Sequence, residues 1–121
     1  MKKTTTLLSA VLIFSTLAVL GQDKNVSTTK PMHKYVIERE IPNAGTLGDY
    51  ELAGIASKSC NAIKNMKENI QWVESYVTDN KVYCIYIAES ENAIRQHAKL
   101  AGFPANKISE LRTIIDPTTA K

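Results

Sequence analysis

What this chain lacks excludes most chemistry. It carries two histidines and two cysteines in 121 residues. A single copy therefore cannot close a three-histidine metal site. No Cys-x-x-Cys and no Cys/His ligand spacing occurs, which argues against a zinc-type thiolate site. There is no glycine-rich phosphate loop, no Ser/His/Asp set in a recognisable context and no paired-carboxylate signature. Nothing therefore points to nucleophilic catalysis. Positive charge is also scarce. Of the 15 Lys and Arg, two stand at Lys2 and Lys3, leaving 13 against 12 acidic residues. With no basic stripe, and with the aromatics in apolar segments, nucleic acid is not an expected partner. No internal repeat is visible. The longest apolar run, residues 7–20, is broken by Ser9, Ser15 and Thr16. It falls short of the roughly 20 residues that a spanning helix needs.

The N-terminus has its own layout. Met1-Lys2-Lys3 is basic, the apolar run follows, and Gly21 is a small residue at a plausible cleavage point. These are the parts of a secretory signal peptide over residues 1–21, with an uncleaved anchor as the alternative. No Cys follows the run, so a lipid-modified export signal is not indicated. Residues 22–31 form a polar leader rich in Lys, Ser and Thr. Residues 32–121 are the folded domain, expected to be periplasmic or secreted, with no membrane contact after cleavage. A domain of this length is near the lower limit for one core. A homodimer would add the burial it lacks.

Residues 70–88 are the most informative stretch. Two runs rich in β-branched and aromatic residues flank Asp79-Asn80, and both residue types tolerate the left-handed backbone of a tight hairpin. That turn sets Tyr76 opposite Tyr83, Glu74 opposite Ile85 and Trp72 opposite Ile87, all on one face. Val73, Ser75, Val77, Val82, Cys84 and Tyr86 take the other. Both faces are largely apolar, so both should be covered. Helices can cover one; a partner chain is expected on the second.

The rest reads simply. Residues 33–41 suit a strand, closed by Pro42 and the turn Asn43-Ala44-Gly45. Thr46 or Asp49 can cap a helix whose apolar stripe is Leu52, Ile55, Ala56, Ser59, Ile63 and Met66. Residues 89–101 make a second helix, opened by Ser90, with Ala93, Ile94, His97, Ala98 and Ala101 inward and Gly102 ending it. Residues 107–115 are a last strand. The order β-α-β-β-α-β predicts an α+β, ferredoxin-like domain: an antiparallel sheet with two helices on one face. Two such sheets packed together form a dimeric α+β barrel.

Several stretches resemble a family of small bacterial nickel-binding proteins, formerly a domain of unknown function. They are Tyr35-Val-Ile-Glu-Arg-Glu-Ile-Pro-Asn-Ala-Gly, Ser57-Lys-Ser-Cys, residues 70–86, Ala93-Ile-Arg-Gln-His-Ala and Gly102-Phe-Pro-Ala-Asn. The resemblance spans nearly all of the domain. It implies a ferredoxin-like dimer that binds divalent nickel for sequestration or handling rather than catalysis. It departs at Glu74, where the family pattern often has His, a better nickel ligand.

Four residues are the candidate metal ligands: His97, Glu74, Cys60 and Cys84. His97 occupies an inward helical position where an apolar residue is expected, so it is a ligand or a hydrogen-bonded core histidine. Glu74 stands among aromatics, where a carboxylate needs a cation, a metal or a tyrosine hydroxyl beside it. It is a metal ligand near a two-fold axis, or half of an interface ion pair with Arg39 or Arg112. Cys60 and Cys84 could form a disulfide, remain inert thiols, or bind metal. His33, at the start of the first strand, is an accessory ligand or an ordinary surface residue. The alternative function is a small-molecule-binding or monooxygenase-like enzyme with a pocket between sheet and helices lined by His97, Tyr86 and Ser75. A purely structural or partner-binding module is the third.

Overall fold

A computed structural model describes residues 29–121, so the expected signal peptide and most of the polar leader lie outside the described residues. The elements run β1 (His33–Glu40), α1 (Asp49–Lys64), β2 (Ile70–Val77), β3 (Lys81–Ala88), α2 (Glu91–Ala101) and β4 (Lys107–Glu110). Single turns of 3₁₀ helix occur at Ala44–Thr46 and Pro117–Thr119. The strands form one antiparallel sheet in the order β2-β3-β1-β4. This is the α+β, ferredoxin-like arrangement that the element order predicts. Among the described residues no helix is long and apolar enough to cross a membrane.

Strict alternation divides the sheet into two surfaces. Val82, Cys84, Tyr86 and Ala88 of β3 are buried, as are Tyr35, Ile37 and Arg39 of β1. They meet Ala93, Ile94, His97 and Ala98 of α2 and Ser59 and Ala62 of α1. Val36, Tyr83, Ile85 and Ile87 face the opposite way and are only half-buried.

Several local expectations need correction. Tyr76 pairs with Tyr83 and Glu74 with Ile85, as the hairpin predicts, but a bulge between Trp72 and Glu74 shifts the register. Trp72 therefore lies opposite Tyr86, on the helix side, where its indole N–H donates to Ser75 Oγ at 2.9 Å. Val73 is left exposed. An extra residue in one strand reverses the facing of everything beyond it. Asp79 and Asn80 do not adopt left-handed backbone; Asn43 does, at φ 60°. Thr78 closes the hairpin instead, its N–H donating to the Lys81 carbonyl and its Oγ accepting from the Lys81 N–H.

Neither Thr46 nor Asp49 caps α1. Gly48 is the N-cap, and the Glu51 carboxylate accepts its N–H at 3.0 Å. Helix α2 begins after Ser90, whose Oγ accepts the Ala93 N–H. Glu89 is outside it and pairs with Lys30. Strand β4 stops at Glu110 rather than residue 115: the Leu111 N–H still donates to the Lys34 carbonyl at 2.8 Å, but β1 begins at His33, opposite residue 112, and offers no strand to the residues after it.

Candidate functional site

The inner face of the sheet holds a buried polar chain. His97 is fully buried on α2, one turn after Ile94. Its Nε2 lies 3.2 Å from Ser59 Oγ and 3.4 Å from the Ser59 carbonyl oxygen. Ser59 Oγ in turn lies 3.0 Å from the Tyr86 hydroxyl. Three elements thus meet through one hydroxyl: α1 through Ser59, α2 through His97 and β3 through Tyr86. The His97 Nδ1 has no protein partner. Burial first, and then the positive charge of Arg39, push the His97 pKa down, against the pull of the Ser59 carbonyl. At neutral pH the imidazole is uncharged. Burial likewise pushes the Tyr86 phenol up, partly offset by Ser59 and Arg39.

Beside this chain, α1 and the sheet stand apart around a cavity of about 210 Å³. Its wall is mainly apolar, with Leu52 and Ile55 from α1, Trp72 and Val77 from β2, and Val82 from β3. Arg39, Cys84, Ser59, Ser75 and Tyr86 also border it. The expectation that Ser75 and Tyr86 turn toward a space between sheet and helices is met. His97 is one layer deeper and does not line the space.

The four expected ligands do not converge in one chain. His97 and Cys84 are buried on the helix side. Glu74, exposed, projects from the opposite face, in register with Ile85. Cys60 is exposed on α1, and both thiols are free, so the admissible disulfide is not formed. Among the described residues no three His, Cys, Asp or Glu side chains gather closely enough to hold a metal ion. Within one copy neither Arg39 nor Arg112 pairs with Glu74. Arg39 lies on the other side of the sheet, and Arg112 pairs with Glu110 at 3.3 Å. The neighbour of Glu74 is Tyr76, whose phenol the carboxylate holds above the ordinary range.

Two features escaped the sequence reading. Arg39 was expected at an interface, yet it is a buried cation on the cavity wall. Its alternation with Tyr35 and Ile37 along β1 was the available signal. His33 is exposed, but its Nδ1 lies 3.0 Å from Glu110 Oε1, which fixes the ring and leaves Nε2 toward solvent or a ligand. The sequence separates this pair by 77 positions, and only the β1–β4 ladder joins them.

The sequence profile of a family described as "Nickel responsive protein SCO4226-like" matches residues 35–111. Among solved structures, the crystal structure of SCO4226 from Streptomyces coelicolor A3(2) superposes with a TM-score of 0.59 at 15% sequence identity, covering 68% of this chain and 99% of that one. At that identity the likeness is one of fold. Among curated proteins none matches the chain significantly.

Proposed function

The chain belongs to the SCO4226-like family of nickel-responsive proteins, and from that membership we propose that it is an exported, homodimeric protein that binds divalent nickel and handles it rather than transforming a substrate. The observation that carries the reading is the match over residues 35–111. The basic, then apolar N-terminus supports export to the periplasm or beyond. The half-buried Val36, Tyr83, Ile85 and Ile87, with Tyr76 52% exposed beside them, support pairing of two copies through the outer sheet face. Ile114 and Ile115, 69% and 78% exposed on the segment after β4, add to the apolar surface left open in one copy.

The described residues of one chain gather too few ligands for nickel, so the metal would be shared between copies. Access favours His33 and Glu74 over the buried His97 and Cys84; Cys60 is exposed, but on α1, across the sheet from Glu74. An imidazole with a carboxylate on its second nitrogen is a well-oriented ligand, and the Glu110 hydrogen bond gives His33 that form. His97 spends Nε2 on Ser59 and is sealed from solvent, which suits a core residue.

The test is calorimetric titration of the mature protein with nickel and with zinc, alongside light scattering for its mass. Nickel should bind a dimer well below millimolar. His33→Ala and Glu74→Ala should each weaken it, and Glu110→Gln should do so by about tenfold or more. Binding no tighter than about millimolar, or a monomer, ends the proposal.

A further inference from the structure

Arg39 is 2% exposed, and no anion among the described residues pairs with it. Its Nε donates to Cys84 Sγ at 3.4 Å, a weak acceptor, and its Nη1 donates to the Pro104 carbonyl. The Phe103 ring lies 5.5 Å from the guanidinium carbon. Among the described residues Nη2 has no acceptor. None of the ion pairs among the described residues includes Arg39. A buried lysine can shed its proton; a guanidinium cannot. An unpaired buried cation costs stability, and this one borders the apolar cavity.

We propose that the cavity binds a compact carboxylic acid with an apolar body, its carboxylate on Arg39 and its body against Leu52, Ile55 and Trp72. The anion supplies the acceptor that the fold withholds. The Tyr86 and Ser75 hydroxyls on the same wall can serve its second oxygen. Size limits the occupant. A cavity of about 150 Å³ accepts benzene, so about 210 Å³ fits one six-membered ring with a carboxylate. A phosphate monoester would bring about two negative charges to a wall with a single cation, and an inorganic anion would leave the apolar walls unfilled. This site is independent of any metal, and it uses the face opposite to that proposed for dimerisation.

Trp72 is the only tryptophan of the chain and lies on the cavity wall, so its emission reports occupancy. The full mature protein is titrated with cyclohexanecarboxylate, which does not absorb where tryptophan is excited, and with the uncharged cyclohexanecarboxamide. The acid should change Trp72 emission saturably, with Kd about millimolar or better. The amide should bind at least about tenfold more weakly, as loss of a charge-assisted contact requires. Arg39→Met should erase the preference for the acid, and Ala56→Phe, which fills the cavity from α1, should abolish binding of both. Three results would overturn the proposal: no saturable change with the acid, equal affinity for acid and amide, or a folded Arg39→Met protein that keeps the preference. The acid–amide comparison uses the native protein, so it decides the matter even if both variants fail to fold.

Discussion

Replacing His97 by glutamine has a consequence whose sign the structure fixes. In the folded protein burial and the Arg39 charge hold the imidazole neutral and its pKa below the ordinary value of 6.5. In the unfolded chain that ordinary value returns. Between the two, the unfolded state takes up a proton that the folded state refuses, so stability rises with pH through this window. The contribution is complete above about pH 6.5 and is lost as the pH falls below it, until the folded pKa is passed. One proton gives a slope of at most about 1.4 kcal/mol per pH unit, so descent from pH 6.5 to 5 costs the native protein up to about 2 kcal/mol. Glutamine cannot titrate. His97→Gln should be less stable at pH 7.5 by about 1–3 kcal/mol, through imperfect packing and a poorer bond to Ser59, and the gap should narrow toward pH 5. Urea unfolding of both proteins at half-unit steps measures it. The Glu38, Glu89 and Asp116 carboxyls are held low by Lys81, by Lys30 and by Thr118 respectively. Their contributions are present above the ordinary carboxylate range and disappear only below it, outside the window. A gap that stays constant or widens with acid refutes a buried neutral imidazole.

Two further outcomes concern the frame around the site. A Cβ on Gly45 would lie 3.0 Å from the Asp79 Cα, and the hairpin cannot retreat. Ile41 and Gly45 N–H groups are bonded to the Asn80 and Asp79 carbonyls. Gly45→Ala should therefore destabilise by about 1–3 kcal/mol in urea, and an unchanged midpoint would mean the loop yields easily. Ser90→Ala removes the acceptor for the Ala93 N–H and should cost about 1 kcal/mol; hydrogen exchange should show the first turn of α2 losing protection before the rest of the helix.

Pairing of two copies and carboxylate binding would occupy opposite sides of one sheet, while His33 and Glu110 share the facing of Tyr35 at the edge of the inner side. The outer face carries Glu74 and the apolar patch; the inner face carries Arg39 and the cavity. The β1–β3 ladder connects them, since Ile37 pairs with Cys84 while the next residue, Glu38, pairs with Tyr83. Each face can therefore be altered without removing a side chain from the other, which keeps the two proposals separable.

Periodicity and turn residues alone were enough for the element order, the antiparallel hairpin, the Ser90 cap, the Gly102 stop and the inward stripe of α2. These depend on neighbours a few positions apart, and on the single fact that buried side chains recur every two residues in a strand and about every 3.6 in a helix. The Tyr76–Tyr83 register belongs to the same class. Tertiary structure decided the remainder. The bulge after Trp72 moved that ring from the expected outer face to the cavity wall, and no local pattern marks an added residue in a run that is apolar on both sides. Arg39 looked like an interface residue until the helices covered its face. His33 and Glu110 became a pair only because β1 and β4 are adjacent. Cys60 and Cys84 went to a solvent-facing helix surface and a buried strand. Short-range chemistry names the elements; which charges end up buried, paired or alone depends on contacts between segments far apart in the chain, and those exist only once the layers have packed.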